Sequence, residues 1–311
     1  MTKFAMVFPG QGSQSIGMLK ELSEKYSIIE ETFSQASSVL GYDLWQLVQN
    51  GSAEELNKTW ITQPALLAAS VAIFRIWQDE QGPMPELMAG HSLGEYSALV
   101  CAGVIRFEDA IKLVELRGKL MQEAVPAGTG AMYAIIGLDN DLIAKACEEA
   151  AQGQVVSPVN FNSPGQVVIA GNKEAVERAG VLCKEAGAKR ALPLPVSVPS
   201  HCALMKPAAD KLAQALKNIT FYQPNYPVIN NVNVKIETDS QAIKDALIAQ
   251  LYSPVRWTEC VEYMAKQGII VVTEVGPGKV LTGLTKRIVD SLSSIAINDS
   301  TSLLDALENT K

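Results

Sequence analysis

The sequence is poor in the residues that bind metal ions or form disulfides. Its 311 residues include only two histidines and five cysteines, and no two cysteines have Cys-x-x-Cys spacing. The small, odd number of cysteines gives no support to a zinc site or a disulfide framework. We therefore expect buried free thiols in a reducing compartment, and we expect no metal or cofactor.

Positive charge is also in short supply. The chain has 26 Lys and Arg against 33 Asp and Glu, which gives a formal net charge of −7. Nucleic-acid binding requires clustered Lys and Arg, so nucleic acid is not expected as a partner, and only a local basic patch is compatible with this total. The apolar run at 4–8 is too short for a signal peptide, and we expect that no apolar stretch is long enough to span a bilayer. We expect a cytoplasmic protein without a membrane partner.

Nucleotide-binding signatures are incomplete. A predicted first strand at 4–8 is followed by Pro-Gly-Gln-Gly-Ser-Gln at 9–14. Ser15 stands where Gly-x-Gly-x-x-Gly requires its third glycine, and no Gly-Lys-Ser/Thr follows. A loop in this place can instead donate a backbone N–H to a site at the strand ends. Gln11 is the candidate donor.

The most informative stretch is Gly-His-Ser-Leu-Gly at 90–94, which follows an apolar run and precedes a helical stretch rich in small residues. In a strand–turn–helix context this pattern is typical of a nucleophile elbow. Gly90 and Gly94 lack a Cβ, so the chain turns sharply and the helix packs close to the strand. Ser92 would then lie at a helix N-terminus, where free N–H groups stabilise an oxyanion. The sequence predicts Ser92 to be a nucleophile.

A serine nucleophile needs a general base, and only two histidines are available. His91 is the sequence neighbour of Ser92, and neighbouring side chains in an elbow point in different directions, so His91 is poorly placed. His201, which ends Val-Pro-Ser-His at 198–201, is the predicted base. No acidic residue with a recognisable motif completes a triad, which leaves a backbone carbonyl or an amide to orient the histidine.

A cation is predicted on the apolar face of a helix. Residues 107–124 have helical periodicity, and Arg117 falls on the apolar stripe of this helix. The stripe consists of Ala110, Val114, Met121 and Ala124. A guanidinium on such a face is costly to bury without an acceptor. Two interpretations remain open: an internal ion pair or snorkelling arginine, or a two-pronged contact with a substrate carboxylate.

The order of predicted elements indicates an α/β fold with an insert. Between 131 and 196 the order is β-α-β-β-α-β, which is the ferredoxin-like unit. We expect a large α/β domain of residues 1–125 and 203–311, a small subdomain of 126–202, and a ligand cleft between them. Asn160 and Asn162, at a predicted inner turn, and Gln63, in a loop predicted at 57–64, are further candidates for the cleft. Turn and loop hydrogen bonding explains them equally well.

These motifs, together with Asn-Phe-Asn-Ser-Pro at 160–164 and Gly-Pro-Gly at 276–278, occur in an order that resembles one family from end to end. It is the malonyl-CoA:acyl carrier protein transacylases of bacterial fatty-acid synthesis, relatives of the polyketide synthase acyltransferase domains. The resemblance implies a hydrolase-like α/β domain with a ferredoxin-like insert. It implies an acyltransferase that takes malonyl-CoA as substrate, forms a malonyl-serine at Ser92 and passes the group to the phosphopantetheine thiol of holo acyl carrier protein in a ping-pong reaction.

The resemblance also implies roles for individual residues. His201 acts as base and later as acid, and Arg117 pairs with the free malonyl carboxylate. Backbone N–H groups of Gln11 and Leu93 form the oxyanion hole, and a main-chain carbonyl near Gln250 holds the histidine.

The carrier protein is acidic in this family, so a basic patch is expected near the cleft. Its candidates are Lys189, Arg190, Lys286 and Arg287. One feature departs from the polyketide pattern, because their malonyl signature His-Ala-Phe-His is Val-Pro-Ser-His here, at 198–201. Malonyl specificity therefore rests on the resemblance to the stand-alone enzymes.

Two other functions share parts of this pattern. A serine esterase or thioesterase has the same elbow, base and oxyanion hole but gives the acyl group to water, and it is distinguished by CoA release that needs no carrier thiol. A non-catalytic binding module would keep the fold alone. Intact Ser92 and His201 argue against such a module, and a mass shift on Ser92 would exclude it.

Overall fold

The computed structural model describes residues 2–196 and 198–311, and its strands form two separate sheets. The strands are β1 (Phe4–Phe8), β2 (Leu87–Gly90), β3 (Gly130–Ile136), β4 (Val156–Ser163), β5 (Gln166–Asn172), β6 (Arg190–Pro193), β7 (Val228–Ile229), β8 (Val271–Val275) and β9 (Ser293–Ile297). The α-helices of the first part are α1 (Lys20–Lys25), α2 (Ile28–Leu40), α3 (Leu44–Asn50), α4 (Ala53–Leu56), α5 (Thr59–Asp79), α6 (Leu93–Cys101) and α7 (Phe107–Glu123). Those that follow are α8 (Asn140–Ala151), α9 (Lys173–Glu185), α10 (Lys206–Leu216), α11 (Ser240–Gln250), α12 (Trp257–Lys266), α13 (Val280–Ile288) and α14 (Ser300–Asn309).

The larger sheet is parallel, with strand order β7-β2-β1-β8-β9. Its central strands are buried on both faces, as a parallel sheet covered by helices requires. Alternate side chains of β1 enter different cores: Phe4 and Met6 pack with α5, whereas Ala5 and Val7 pack with α12 and α13. Because β1 and β2 pair in parallel, their carboxyl ends lie side by side, and the loops that follow these strands meet at one edge of the sheet.

Helix α5 crosses the main core. It is 21 residues long with an 18-residue window of mean hydropathy 1.3, so by length and hydropathy it passes the test for a membrane span. The expectation that no apolar stretch is long enough was therefore wrong. Of that window, 89% is buried inside the protein, where α2, α6 and α7 cover it.

The start of α5 also differs from the prediction of a loop at 57–64. The helix begins at Thr59 and contains Pro64. The reason lies in packing against α7, where a Cβ at Gly118 would lie 2.6 Å from the Cα of Trp60. This close approach holds the first turn of α5 in place, and tertiary contacts outweigh the local signal of the proline.

The smaller sheet is antiparallel, with strand order β4-β5-β3-β6, and all its strands come from residues 130–193. The element order β3-α8-β4-β5-α9-β6 is the predicted one. Ile135 on β3 packs with α8 and α9 on one face. Met132 and Val159 lie on the other face and pack with Cys202, beside His201. The second face thus turns towards the chain segment that carries the predicted base.

Candidate active site

The turn between β2 and α6 depends on two glycines. A Cβ built on Gly90 would lie 1.8 Å from the carbonyl carbon of Gly94, and one built on Gly94 would lie 2.0 Å from the oxygen of Phe8. No side chain fits either place. Ser92, at the tip of the turn, has φ 53° and ψ −110°, a conformation that costs a non-glycine residue about 1–3 kcal/mol. The predicted strand–turn–helix is present, with Ser92 at the N-terminus of α6.

Ser92 and His201 lie within hydrogen-bond distance, although 109 residues separate them in the chain. Ser92 Oγ is 2.8 Å from His201 Nε2, and His201 Nδ1 is 2.7 Å from the main-chain oxygen of Gln250. A carbonyl oxygen only accepts, so Nδ1 carries the proton and Nε2 is left to accept the Ser92 hydroxyl. Burial, together with the positive charge of Arg117, lowers the pKa of His201 to about 3. The imidazole is therefore neutral at physiological pH.

The other histidine is engaged elsewhere. His91 Nε2 lies 2.8 Å from Oδ1 of Asn162, and its ring centroid lies 5.5 Å from that of Trp257. Asn162 and Asn160 lie within β4 and not at the inner turn where the sequence placed them, because β4 continues to Ser163. Asn160 lines the cleft, and the contact between His91 and Asn162 joins the elbow to the smaller sheet.

The backbone N–H groups of Gln11, in the loop after β1, and of Leu93, the first residue of α6, have no acceptor among the described residues. The N–H of Ser92 itself is different, because it donates to Oδ1 of Asn231 at 2.8 Å. Gln11 and Leu93 both line the cavity beside Ser92, where an oxyanion of an acyl intermediate would need donors.

Arg117 is buried, with 1% of its surface exposed, and it makes no ion pair within the described part of the chain. Its donors meet neutral oxygens: Nη1 donates to Gln63 Oε1 and Nη2 to Gln250 Oε1, both at 2.9 Å. Nη2 also lies 3.3 Å from Ser92 Oγ, and Nε has no hydrogen-bond partner among the described residues. Burial lowers the pKa of the guanidinium. Arg117 is therefore neither part of an internal ion pair in the described residues nor a snorkelling side chain. Its guanidinium lies beside the nucleophile, and its Nε–H, unpaired in the described parts of the chain, is free to donate a further hydrogen bond.

Sequence reasoning assigned no role to Glu95 and Asn231, which lie under the elbow. Glu95 Oε2 accepts from the main-chain N–H of Asn231 at 3.0 Å and from Gln250 Nε2 at 2.8 Å. Burial raises the pKa of Glu95 to about 7. Glu95 directly follows the elbow pentapeptide and was within reach of sequence analysis. Asn231 was not, because only the pairing of β7 with β2 brings it to Ser92.

The cleft is a cavity of 550 Å³ between the two sheets. The glycine-rich loop, the elbow and α7 form one side of it, and β3, β4 and the segment around His201 form the other. Met121 and Met132 supply apolar wall, whereas Ser92 and Arg117 are among its polar groups. The cavity thus offers a passage of mixed polar and apolar lining that leads to a nucleophile and a cation.

The predicted basic residues lie together at the far end of the smaller sheet. Ile136 on β3 pairs with Arg190 on β6 and with Gln166 on β5, and Gln166 Oε1 accepts a hydrogen bond from Arg287 at 2.9 Å. Lys189 precedes Arg190, and Lys286 precedes Arg287 on α13. All four cations are exposed. Lys189, Arg190, Lys286 and Arg287 are called the basic cluster below.

The whole chain has close relatives of known name. The family described as "Acyl transferase domain" matches residues 5–304. The chain is 72% identical to the malonyl CoA-acyl carrier protein transacylase of Escherichia coli K12 over 308 residues, which cover 99% of this chain and 100% of the relative.

Solved structures agree with this comparison. The acyl carrier protein S-malonyltransferase of Vibrio cholerae is 72% identical with a TM-score of 0.96, over 98% of this chain and 100% of that one. A malonyl-transacylase solved in complex with its holo acyl-carrier protein from a type II PKS is 71% identical with a TM-score of 0.98, over 99% and 100%.

Proposed function

We propose, for a chain that belongs to the malonyl-CoA:acyl carrier protein transacylases, a family of acyltransferases, a reaction through a malonyl-serine at Ser92. The protein takes the malonyl group from malonyl-CoA and transfers it to the thiol of holo acyl carrier protein. We extend the proposal to the fold, as a hydrolase-like α/β domain of residues 1–125 and 203–311 with a ferredoxin-like insert at 126–202. The element order and strand order of the smaller sheet support this description. The cytoplasm is its proposed location.

The observation that carries the proposal is the buried Arg117 beside the nucleophile. A guanidinium without an anionic partner is unfavourable in a protein interior. A malonyl group esterified to Ser92 brings its free carboxylate to this place, where a two-pronged contact with the guanidinium compensates the cost of burial. An acetyl group brings only a methyl group and leaves the cation unpaired, so Arg117 selects for a dicarboxylic acyl group.

The first half-reaction forms the malonyl-serine. Ser92 Oγ attacks the thioester carbonyl carbon of malonyl-CoA while His201 Nε2 accepts the hydroxyl proton, and the carbonyl oxygen becomes an oxyanion held by the N–H groups of Gln11 and Leu93. The intermediate collapses with cleavage of the C–S bond. His201 returns the proton to the sulfur, and CoA leaves as the thiol.

The second half-reaction repeats these steps with another thiol. The phosphopantetheine thiol of the carrier gives its proton to His201 and attacks the acyl carbon, the bond to Ser92 Oγ breaks, and the proton returns to the serine. Thioesters are already activated, so a Ser–His pair is sufficient. The main-chain oxygen of Gln250 keeps the histidine in the required tautomer without adding a negative charge.

The basic cluster is the proposed docking site for the acidic carrier. Met132 lines the cavity, and Ile136 lies four positions further along β3, which is about 13 Å at about 3.3 Å per residue. A carrier bound at the cluster would lie beside the mouth of the cleft. Lys189→Glu with Arg190→Glu should raise the KM for the carrier severalfold and leave acylation by malonyl-CoA unchanged.

The control for docking is the same charge reversal on two other exposed lysines, Lys211→Glu in α10 with Lys217→Glu at its C-cap. These lysines do not line the cavity. Equal carrier KM values in both double variants would remove the basic cluster from the proposal.

The proposal as a whole is tested by following the fate of the acyl group. The protein is mixed with malonyl-CoA, and its intact mass is measured before and after addition of holo acyl carrier protein. A malonyl adduct that is absent from Ser92→Ala and moves to the carrier supports the transferase. Steady CoA release without a carrier would instead favour the thioesterase, which shares Ser92 and His201.

A further inference from the structure

The side chain of Asn231 forms hydrogen bonds with the backbone of the elbow, although the proposed reaction gives Asn231 no role. Its side-chain Nδ2 donates to the carbonyl oxygen of Gly90 at 2.7 Å, and its Oδ1 accepts from the N–H of Ser92 at 2.8 Å. One carboxamide thus bridges the residues on either side of His91. The side chain is buried, so water does not compete for these bonds.

We propose that Asn231 is a positioning residue for the nucleophile: its carboxamide clamps the elbow, holds Ser92 in its strained conformation and keeps the Ser92 N–H out of the oxyanion site. This inference rests on the proposed function, because it concerns the acylation of Ser92. Asn231 does not line the cavity, and its side chain bonds to the backbone of the elbow and not to the Ser92 hydroxyl. Its Oδ1 also accepts from Gln250 Nε2 at 3.1 Å.

The sheet register brings Asn231 to this place. β7 pairs with β2 in parallel, with Val228 opposite Met88 and Ile229 opposite Ala89. Continued by two residues, this register sets Asn231 opposite His91, at the point where β2 ends and the elbow begins. The main-chain N–H of Asn231 is fixed in turn by Glu95 Oε2 at 3.0 Å. The clamp is therefore anchored on the helix that follows the nucleophile.

Backbone strain gives the clamp its function. A serine at φ 53°, ψ −110° relaxes towards an ordinary conformation unless its surroundings oppose the change. Rotation of the peptide between His91 and Ser92 would break the bond from the Ser92 N–H to Asn231 Oδ1. A second contact comes from Gln250 Nε2, which donates to the Ser92 carbonyl oxygen at 3.1 Å. The two amides hold the peptides before and after the serine Cα.

The same contact selects the oxyanion donors. In the elbow, the N–H groups of Ser92 and Leu93 lie next to each other, and only that of Leu93 is without an acceptor among the described residues. Because the Ser92 N–H donates to Asn231, the oxyanion that forms during acylation accepts from the N–H groups of Leu93 and Gln11 instead. Removal of the carboxamide loosens the nucleophile and frees a competing donor behind it.

The test separates the rate of acylation from substrate binding. Asn231→Ala removes both side-chain bonds to the elbow, together with the bond that Oδ1 accepts from Gln250 Nε2 at 3.1 Å. The near-isosteric Asn231→Asp keeps the acceptor for Ser92 but loses the donor to Gly90. The matched control is Asn230→Ala, since the neighbouring side-chain oxygen bonds only to the N–H of Asn233 in its own loop. Single-turnover acylation by malonyl-CoA is followed by intact mass, well below the melting midpoint of each variant. Affinity for malonyl-CoA is measured with each change placed on Ser92→Ala.

The expected result is acylation slowed roughly 10- to 100-fold in both Asn231 variants, because a small displacement of a nucleophile has an effect of that order. Malonyl-CoA affinity should stay within about twofold of the parent, since Arg117 is untouched. Asn230→Ala should acylate as the wild type does. Acylation at the wild-type rate in either Asn231 variant, a parallel loss of affinity, or an equal loss in Asn230→Ala would overturn the inference.

A substrate-independent probe keeps this test apart from the proposed function. Phenylmethylsulfonyl fluoride sulfonylates an activated serine without malonyl-CoA. If the wild type reacts with the probe but not with malonyl-CoA, the proposed function fails, and the clamp is still tested by the probe. Slower sulfonylation of Ser92 in both Asn231 variants supports the clamp, and equal rates overturn it.

Discussion

Arg117→Ala is the substitution that most sharply tests the selection of the acyl group. The guanidinium is buried, donates to the amides of Gln63 and Gln250, and lies 3.3 Å from Ser92 Oγ. In the acyl-enzyme, a malonyl carboxylate would be the only anion to meet it directly. Replacement by alanine leaves that carboxylate in a cleft with no Lys or Arg among its lining residues.

The magnitude follows from the environment of the cation. Removal of one partner from a buried charge pair costs about 3–5 kcal/mol. Taking about 3 kcal/mol, since neutral amides remain nearby, and about 1.4 kcal/mol for each tenfold change, acylation by malonyl-CoA should slow about 100-fold. Acetyl-CoA carries no carboxylate and should lose little, so the malonyl-to-acetyl ratio of kcat/KM should fall by about the same factor.

The assay is single-turnover acylation with each thioester, followed by intact mass. Arg117→Lys keeps the charge but loses the two-pronged contact, so its ratio should lie between those of the wild type and the alanine variant. Arg75→Ala is the matched control, because Arg75 is half-buried and bonds to Thr32 and Gln35 away from the cleft. A malonyl-to-acetyl ratio unchanged in Arg117→Ala would refute the role of the guanidinium.

Three further outcomes follow from the buried polar groups. Gln250→Ala removes the side-chain contacts with Arg117 and with the Ser92 carbonyl oxygen, so acylation by malonyl-CoA should slow at least roughly tenfold. The main-chain oxygen that holds His201 is kept, so the pH profile should not move, and a displaced acid limb would contradict this. Because the pKa of His201 is lowered to about 3, acylation should not decline as the pH falls through 6.5, and a limb near 6.5 would show an ordinary imidazole. The pKa of Glu95 is raised from 4.5 to about 7, so the folded state holds that proton more tightly than the unfolded chain does. This contribution to stability is complete below pH 4.5 and is lost as the pH rises through 7. Over this range the free energy of unfolding, measured with urea, should fall by about 3 kcal/mol more in the wild type than in Glu95→Gln. Equal falls in the two proteins would contradict the raised pKa.

Much of the fold was predictable because its signals are local. The glycines at 90 and 94, which no other residue can replace, predict the elbow. The order of its strands and helices predicts the insert. The first turn of α5 was not predictable, because contact with Gly118 overrides Pro64.

The candidate site divides in the same way. The motif predicted Ser92, the small number of histidines predicted His201, and helical periodicity drew attention to Arg117. In the structure, His201 Nε2 and Arg117 Nη2 lie within 3.3 Å of Ser92 Oγ. The absence of an acidic motif predicted a backbone carbonyl or an amide as the acceptor for the histidine, and only its place at Gln250 came from the family resemblance. Asn231 reaches the elbow only because β7 lies beside β2, and sheet order is a property of the folded chain. Residues that act through strand pairing leave no trace in sequence spacing.

The central claim, a malonyl group carried on Ser92 and released to a thiol, is tested most directly by intact-protein mass with peptide mapping. The protein is exposed briefly to malonyl-CoA, digested, and compared with a sample chased with holo acyl carrier protein. The account predicts a malonyl adduct on the peptide that contains Ser92, absent from Ser92→Ala and transferred to the carrier thiol in the chase. An adduct on another residue, or loss of the malonyl group to water with no gain of mass by the carrier, would contradict it.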